Sequence, residues 1–155
     1  SVIPFFFNKK RNNKPFPITD PKMTRFNISI EDGVKMVIHA LIHSWGGEIF
    51  VPKIPSYKIL DVAEAVQRNF NKIIVGIRPG EKIHEEMITA SDSYNTYDLG
   101  EYYVILPTTM NWSLENFIKK NNAKLVPLGF TYNSGKNTEW ETVETLTKLI
   151  NKISV

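Results

Sequence analysis

An apolar run at residues 73–77 ends in Arg78 and is followed at once by Pro79 and Gly80. The run predicts a strand, and the Pro-Gly pair predicts a turn because proline fixes its own φ and glycine permits close backbone approach. Proline also suits the first position of a helix, where acidic side chains such as those within residues 81–86 interact favourably with the helix dipole. The sequence therefore predicts a strand, a turn and the first turns of a helix, with charged side chains at the junction.

Arg78 and Glu81 place a guanidinium and a carboxylate close together along the chain at this junction. A guanidinium can bind a phosphate group through two parallel hydrogen bonds. An ionised carboxylate only accepts hydrogen bonds, and it can take both hydroxyls of a ribose. The pair suits a nucleoside diphosphate. The alternative is an ordinary strand-to-helix connection with solvated charges.

Composition narrows the class of protein. The chain has 155 residues, enough for one domain with a sizeable core. It has no cysteine, so the sequence offers neither a disulfide framework nor a thiolate metal site. No apolar run reaches the length of a membrane span, and we expect a cytoplasmic protein. Because the chain begins inside an apolar run without an initiator methionine, we also expect it to be a piece of a longer protein.

The charge balance gives little support to nucleic-acid binding. Net charge is +3, from 19 basic and 16 acidic residues, which is compatible with an anionic ligand. The basic run at residues 8–14 is the only candidate nucleic-acid patch in the sequence. It has no interleaved aromatic residues, and a solvated loop is the preferred interpretation.

Local patterns predict an α/β chain. A capping box precedes a helix predicted over about residues 30–44, whose apolar residues recur at helical spacing. Residues 48–52 and 72–77 predict strands, and a helix is predicted over about residues 61–70 between them. This order predicts a parallel βαβ unit with the Arg78 turn at the carboxyl end of its second strand. The remaining predictions are a helical turn at residues 2–8, extended segments at 15–21, 23–28 and 130–132, a strand at 102–106, and helices at 117–120 and 141–153.

The histidines do not predict a metal site. His39 and His43 are four residues apart and could share a helix face, as paired metal ligands do. No third ligand is suggested nearby. His84 lies in the run that follows Arg78, and packing against a helix is its simplest interpretation.

Four runs, in this order, resemble one family: residues 1–6, 17–26, 47–56 and 76–85. The whole chain resembles the C-terminal half of inverting UDP-N-acetylglucosamine 4,6-dehydratases, extended short-chain dehydrogenases of polysaccharide biosynthesis and of the pseudaminic acid type. The resemblance implies an α/β fold in which residues 1–155 form a single UDP-sugar binding domain. It also implies that the NADP-binding Rossmann half, with its glycine-rich loop and Tyr-x-x-x-Lys pair, is missing from this chain.

One Tyr-x-x-x-Lys match does occur, at Tyr132 and Lys136. The chemistry of that pair requires both side chains on one helix face, with the lysine lowering the pKa of the tyrosine. The intervening Asn-Ser-Gly predicts a turn. We therefore expect no catalytic residue on this chain.

The resemblance assigns three charged residues to the nucleotide. Arg25 and Arg78 match the two arginines that contact the diphosphate in related nucleotide-sugar enzymes. Glu81 matches the carboxylate that holds the ribose hydroxyls.

Five further positions follow from the same resemblance. Pro17, Ile18 and Thr19 match an extended segment whose backbone pairs with uracil, a contact that needs no specific side chain. Ile3 and Pro4 resemble a helix start that lies against the nucleotide.

The resemblance also implies an activity for the full enzyme, a lyase with tightly held NADP. Such an enzyme oxidises C4 of UDP-N-acetylglucosamine, which makes the C5 proton acidic. It then eliminates water across C5–C6 and returns hydride to C6 with inversion at C5. The isolated chain is expected to be inactive, and to self-associate as a homo-oligomer.

Two alternatives stay open. The chain could be a non-catalytic nucleotide-sugar binding module or the subunit of a split gene. It could also be a nucleic-acid binder through residues 8–14, which predicts a steep salt dependence of oligonucleotide binding.

Overall fold

The computed structural model describes residues 2–153, and these group into two compact units. Unit 1 consists of the described parts of Ser1–Asn27, Pro55–Glu85 and Ser134–Val155, and unit 2 of Ile28–Ile54 and Glu86–Asn133. The single UDP-sugar binding domain expected over residues 1–155 stays a prediction. No helix in residues 2–153 combines the length and the apolar character that crossing a membrane requires.

Five α-helices and ten short strands make up the described chain, so the mixed α/β class is confirmed. The helices are α1 (Val2–Arg11), α2 (Ile30–His43), α3 (Ile59–Val66), α4 (Leu114–Asn121) and α5 (Val143–Ile153), with a 3₁₀ helix at Asp92–Asn95. The strands are β1 (Phe16–Ile18), β2 (Thr24–Phe26), β3 (Ile49–Pro52), β4 (Ser56–Lys58), β5 (Lys72–Ile74), β6 (Glu86–Ile88), β7 (Thr96–Asp98), β8 (Tyr102–Ile105), β9 (Lys124–Leu125) and β10 (Tyr132–Asn133).

Unit 1 is three helices packed around two small sheets. β1 pairs with β5 in parallel, and β2 pairs with β4 antiparallel, which sets Arg25 opposite Tyr57. The core is apolar, and within it the ring of Phe6 from α1 stacks on Phe16 from β1 at a centroid distance of 4.8 Å. Its buried members come from every helix of the unit and from its strands and loops: Phe6, Phe16, Ile18, Met23, Ile59, Val62, Ala63, Val66, Leu146 and Ile150.

The predicted βαβ unit is wrong in its first strand. β3 pairs antiparallel with β8 in unit 2, and the parallel partner of β5 is β1. β3 is only half buried along its length, which suits an antiparallel strand better than a parallel strand covered on both faces. The chain enters α3 directly from β4, a short strand that the sequence pattern did not indicate.

The predicted helix after Pro79 is also wrong. Residues 78–81 form a tight turn in which Gly80 has φ = +81°. The segment after this turn forms a hydrogen bond with β2, in which the Ile83 carbonyl accepts the Thr24 N–H at 3.0 Å. The chain continues into β6 rather than a helix, because its backbone groups are used across the unit instead of along a helix.

Unit 2 contains a four-stranded antiparallel sheet in the order β3-β8-β7-β9. Val104 and Leu106 pack with Phe117 of α4 in its core. The capping box before α2 is confirmed, as the Ser29 Oγ accepts the Asp32 N–H at 3.1 Å. The apolar face of α2 is largely exposed to solvent.

The two histidines of α2 lie side by side. The rings of His39 and His43 are 4.4 Å apart, and the His39 ring also stacks on Tyr102. Burial, together with the neighbouring His43, lowers the pKa of His39. Within residues 2–153, no three His, Cys, Asp or Glu side chains cluster in a way that could hold a metal ion.

The Tyr-x-x-x-Lys match does not lie on a helix. Tyr132 belongs to β10, and its hydroxyl donates to the Ile54 carbonyl at 3.0 Å and accepts the Ile54 N–H at 2.9 Å. A turn at Ser134 and Gly135 follows. The turn that the Asn-Ser-Gly sequence predicted is confirmed, and the tyrosine hydroxyl is a structural hydrogen-bonding group.

Candidate functional site in unit 1

A cavity of about 560 Å³ opens in unit 1 beside the Arg78 turn, and it is called here the Arg78 cavity. The helix α1, the strands β1, β2 and β4, and the segment that follows β5 each contribute to its wall. It is lined by Val2, Phe5, Phe6, Pro17, Thr19, Met23, Arg25, Tyr57, Ile59, Val75, Arg78, Glu81 and Glu85. The wall thus combines two arginines, two carboxylates and a phenol with apolar side chains.

Five of the eight residues named from the sequence line this cavity together: Pro17, Thr19, Arg25, Arg78 and Glu81. They come from three separate parts of the chain. The β1–β5 pairing joins the first part to the third, and β2 follows β1 after a short turn. The three charged residues that the resemblance assigns to the nucleotide therefore share one wall.

Ile18 does not line the cavity, because its side chain is fully buried in the core of unit 1. Its carbonyl oxygen also accepts the Val75 N–H at 2.9 Å. The backbone of Thr19, one residue further on, leaves the strand pairing. The position of Thr19 in the cavity wall makes it the better candidate for a backbone contact with a base.

Ile3 and Pro4 face away from the Arg78 cavity and line a different depression with Phe7 and Arg11. In a helix, positions three and four residues apart share a face. The face of α1 that meets the Arg78 cavity therefore carries residues 2, 5 and 6. The helix itself borders the cavity, and residues 3 and 4 lie on its other side.

The turn at residues 78–81 is closed by two hydrogen bonds between the same two residues. The Glu81 N–H donates to the Arg78 carbonyl at 3.0 Å, and the Arg78 N–H donates to the Glu81 Oε2 at 3.2 Å. These bonds fix the carboxylate against the turn. The guanidinium of Arg78 is exposed and has no hydrogen bond or ion pair with any residue in 2–153, so its donors are available to an anion.

Arg25, by contrast, is held firmly. Its Nη1 donates to the carbonyl oxygens of Thr24 at 2.6 Å and Ile83 at 3.0 Å, and its Nε lies 3.6 Å from the Glu85 Oε1. The side chain is 19% exposed. Since a guanidinium has five N–H donors, the two on Nη2 have no partner within residues 2–153. Arg25 is therefore a fixed cation with one free edge.

Tyr57 and Glu85 belong to the site, yet sequence reasoning gave neither of them a role in it. Tyr57 lies directly opposite Arg25 in the β2–β4 pair, and neighbouring strands carry such paired side chains on one face. Glu85 stands within the run 76–85, where its acidic character alone predicts a place in a helix. Strand register supplies the position of Tyr57, and a contact between distant segments holds Glu85, whose Oε2 accepts the Phe26 N–H at 2.9 Å. The sequence carries no signal for either contact.

The phenol of Tyr57 stays protonated over a wide pH range. Burial raises the pKa of Tyr57, the Glu85 carboxylate raises it further, and the Arg25 guanidinium opposes both with a smaller effect. A neutral phenol is a hydrogen-bond donor. The cavity wall therefore presents a neutral donor beside two cationic ones.

This pKa shift can be measured. In an ultraviolet titration, the difference between the wild type and Tyr57→Phe should show an ionisation midpoint above pH 10, and Glu85→Gln should bring that midpoint down because it removes a negative neighbour. The raised pKa adds stability below the unfolded-state pKa, and this stability is lost as pH rises through the folded-state pKa. A midpoint at or below 10 would contradict the burial of the phenol.

His84 lies in the segment between the Arg78 turn and β6, and its ring makes a hydrogen bond that the sequence did not indicate. Its Nδ1 lies 2.8 Å from the Thr24 Oγ1. That hydroxyl is also 2.7 Å from the Ser134 Oγ. His84 therefore belongs to a hydrogen-bonded chain behind the Arg78 cavity.

The sequence of this chain is similar to those of known proteins. A sequence model described as "Polysaccharide biosynthesis protein" matches residues 1–107. The chain is 45% identical over 158 aligned residues to a UDP-N-acetylglucosamine 4,6-dehydratase (inverting) of Campylobacter jejuni, which covers 97% of this chain and 47% of that protein. It is 34% identical to a UDP-glucose 4-epimerase of Rickettsia canadensis, covering 99% of this chain and 46% of that one.

The chain is also similar to a solved structure. The X-ray structure of Pen from Bacillus thuringiensis superposes with a TM-score of 0.77 at 28% identity, over 99% of this chain and 46% of that one. The chain spans about half the length of the curated relatives it matches. Since the family match covers more than half of its residues, the chain belongs to the polysaccharide biosynthesis protein family.

Proposed function

We propose that the Arg78 cavity binds the UDP part of a nucleotide sugar. We propose further that the chain is the substrate-binding part of a 5-inverting UDP-N-acetylglucosamine 4,6-dehydratase. The observation that carries the proposal is the shared cavity wall of Arg25, Arg78 and Glu81. The names of the relatives, a UDP-sugar dehydratase and UDP-sugar epimerases, support the substrate class.

The diphosphate has two complementary partners in this proposal. The Nη2 edge of Arg25 is held ready by the bonds that the rest of its guanidinium makes. The Arg78 side chain is exposed and can close on the ligand from the turn. A fixed donor reduces the entropy lost on binding, and an exposed one is accessible to the entering ligand.

The nucleoside has partners at the other groups of the wall. Glu81, anchored by the Arg78 N–H, keeps one carboxylate oxygen available to the ribose hydroxyls. Pro17 and Thr19 provide an edge of backbone for the uracil, while the apolar side chains of Val2 and Phe5 provide a surface for its face. Neutral Tyr57 adds a donor for a phosphate or sugar oxygen.

In the full enzyme, binding energy from this remote UDP would position the reacting sugar at a catalytic half. The product proposed is a UDP-4-keto-6-deoxy-hexosamine for nonulosonic acid, capsule or other glycan synthesis. NADP does not fit the residues of this chain, because the sequence has no Gly-x-x-Gly-x-x-Gly loop and the cavity wall has no glycine-rich turn into a helix. We place the cofactor on a Rossmann half outside this chain.

Calorimetry of the full chain with UDP tests the proposal. We expect saturable one-to-one binding of UDP, and weaker binding of uridine and of inorganic pyrophosphate, since each fills only part of the cavity. ADP serves as the matched control, because it shares the diphosphate and ribose and changes only the base. The absence of UDP binding would contradict the proposal, and equal binding of ADP and UDP would remove the uracil contact from it.

Glu81→Gln separates the ribose contact from the diphosphate contacts. The variant keeps the shape of the side chain but replaces one acceptor oxygen with a donor. We expect UDP affinity to fall by about tenfold, as for the loss of a hydrogen bond to a charged group, while pyrophosphate affinity stays close to that of the wild type. Equal losses for both ligands would show that Glu81 acts on the turn as a whole rather than on the ribose.

The catalytic role is tested by turnover. We expect the chain alone to produce no dehydration product from UDP-N-acetylglucosamine, and a supplied NADP-binding half to restore turnover if the two fold together. Mass spectrometry of the reaction mixture distinguishes these outcomes. Product formed by the purified chain alone would contradict the proposed division of labour, and UDP binding with no turnover in the combined protein would favour the non-catalytic module.

A further inference from the structure

Three hydrogen-bonded side chains, those of Thr24, His84 and Ser134, lie behind the Arg78 cavity. The Thr24 Oγ1 is 2.8 Å from the His84 Nδ1 and 2.7 Å from the Ser134 Oγ, and the Ser134 Oγ accepts the Glu85 N–H at 2.9 Å. Thr24 and Ser134 are buried, at 4% and 0% exposure. None of the three residues lines the cavity, so their contribution to a ligand would be indirect.

One arrangement of the hydrogens gives both the Thr24 and the Ser134 hydroxyl an acceptor. Because the Ser134 Oγ accepts the Glu85 N–H, its own hydrogen can go to Thr24, whose hydrogen can then go to the His84 Nδ1. In the reverse order, the Ser134 hydroxyl hydrogen has no acceptor within residues 2–153 although the residue is fully buried. A buried donor that is left without an acceptor is destabilising. The favoured arrangement makes the His84 Nδ1 a hydrogen-bond acceptor.

The hydrogen bonds among Thr24, His84 and Ser134 connect to both Arg25 and Glu85 in the cavity wall. The Thr24 N–H donates to the Ile83 carbonyl at 3.0 Å, and the same carbonyl accepts from the Arg25 Nη1 at 3.0 Å. Glu85, which lies 3.6 Å from the Arg25 Nε, is fixed at its backbone by Ser134 in both directions. Displacing residues 83–85 would therefore move two of the groups that hold the Arg25 guanidinium.

Gly135 shows how closely the imidazole is confined. A Cβ placed on Gly135 would lie 2.5 to 2.7 Å from three atoms of the His84 ring, far inside ordinary contact. Gly135 is not among the glycines with positive φ, so its backbone conformation is open to other residues. The requirement for glycine here comes from the space that the His84 ring occupies.

We propose that Thr24, His84 and Ser134 are positioning residues of the Arg78 cavity, which hold Arg25 with its Nη2 edge ready for a diphosphate. Gly135 provides the space for the imidazole. The inference rests on the proposed UDP site, since it names the residues that prepare one arm of it. Their role is to fix a donor before the ligand arrives, and none of them contacts the ligand.

A matched pair of variants at Thr24 tests whether its hydroxyl group contributes to UDP binding. Thr24→Val keeps the shape of the side chain and removes the Oγ1, whereas Thr24→Ser keeps the Oγ1. By calorimetry on the full chain, we expect Thr24→Val to weaken UDP by about tenfold, the effect of one charge-assisted hydrogen bond lost between a displaced Arg25 and the diphosphate, and Thr24→Ser to restore most of the affinity. In an Arg25→Ala background, Thr24→Val should cause no further loss, because it acts through Arg25.

A double-mutant cycle at Gly135 and His84 distinguishes the positioning role from a general loss of stability. Gly135→Ala should weaken UDP in the protein that has His84, and should cause little further loss in His84→Ala, where no ring is present to be displaced. Thermal unfolding of each variant is recorded alongside. Additive losses in this cycle, or a loss in Thr24→Val that persists without Arg25, would overturn the proposal.

A ligand-free measurement separates this proposal from the proposed function. The side-chain Nε–H signal of Arg25 in a ¹⁵N NMR spectrum should exchange with water faster in Thr24→Val than in the wild type, and slowly again in Thr24→Ser. If the wild type fails to bind UDP while the Arg25 signal responds in this way, the proposed function fails and the positioning role stands. An Arg25 signal that is unchanged in Thr24→Val overturns the positioning role whether or not UDP binds.

Discussion

Replacing Arg78 by alanine is expected to weaken UDP binding by on the order of tenfold to a hundredfold, because a hydrogen bond to a charged group contributes roughly 1.5–3 kcal/mol. The Arg78 guanidinium lies in the cavity wall and makes no hydrogen bond or ion pair within residues 2–153. Its removal therefore leaves no protein group unpaired, and the loss reports contact with the ligand. Calorimetry with UDP and with pyrophosphate measures it.

Two further variants sharpen this experiment. Arg78→Lys keeps the charge but loses the planar fork, so we expect an affinity between those of the wild type and Arg78→Ala. Arg68→Ala removes the same charge from an exposed site outside the cavity and should leave UDP affinity nearly unchanged. If Arg78→Ala binds UDP as tightly as the wild type, the Arg-Pro-Gly-Glu turn is a connection with solvated charges, the alternative that the sequence left open.

Replacing Phe16 by alanine is expected to destabilise unit 1 by about 3–5 kcal/mol, the range for a buried phenylalanine whose removal leaves a cavity. Phe16 is 1% exposed, and its ring stacks on Phe6 at 4.8 Å and on Phe70 at 5.2 Å. β1, which carries Phe16, also carries Pro17 into the cavity wall. The same substitution should therefore weaken UDP binding.

Urea unfolding of the full chain measures this destabilisation. Phe5→Ala is the control of the same chemical change, since Phe5 is 43% exposed and should contribute much less to stability. A Phe16→Ala variant as stable as Phe5→Ala would contradict the stacked core that joins α1 to β1.

The elements that could be predicted from the sequence are those defined by local interactions. α2 begins where the capping box placed it, because the bond between Ser29 and the Asp32 N–H forms within one turn. α5 follows the apolar spacing of its own residues in the same way. The boundaries differ from the predictions by only a few residues.

Strand pairing could not be predicted, because it depends on contacts between distant segments. Phe16 pairs with Lys72, and Arg25 with Tyr57, across long stretches of chain. The apolar run at residues 73–77 predicts the second strand of a parallel unit, and the side chains of Ile73, Ile74 and Val75 are half exposed in the structure. The order strand, helix, strand therefore led to the wrong parallel partner.

The residues of the candidate site could be predicted only in part, because some of them come together through contacts between distant segments. The resemblance named Arg25, Arg78 and Glu81 from linear runs, and the fold brings them to one cavity; their roles stay predictions. Tyr57 required the β2–β4 register. Ile3 was placed in the site although the helical period of α1 turns it to the other face.

A crystal structure of the full chain with UDP tests the proposed site most directly. We expect the diphosphate oxygens within hydrogen-bond distance of the Arg78 guanidinium and the Arg25 Nη2, and the ribose hydroxyls on the Glu81 carboxylate. The uracil should lie along Pro17 and Thr19. UDP bound elsewhere in unit 1 or in unit 2, or in the Arg78 cavity with its diphosphate away from both arginines, would contradict the proposed function.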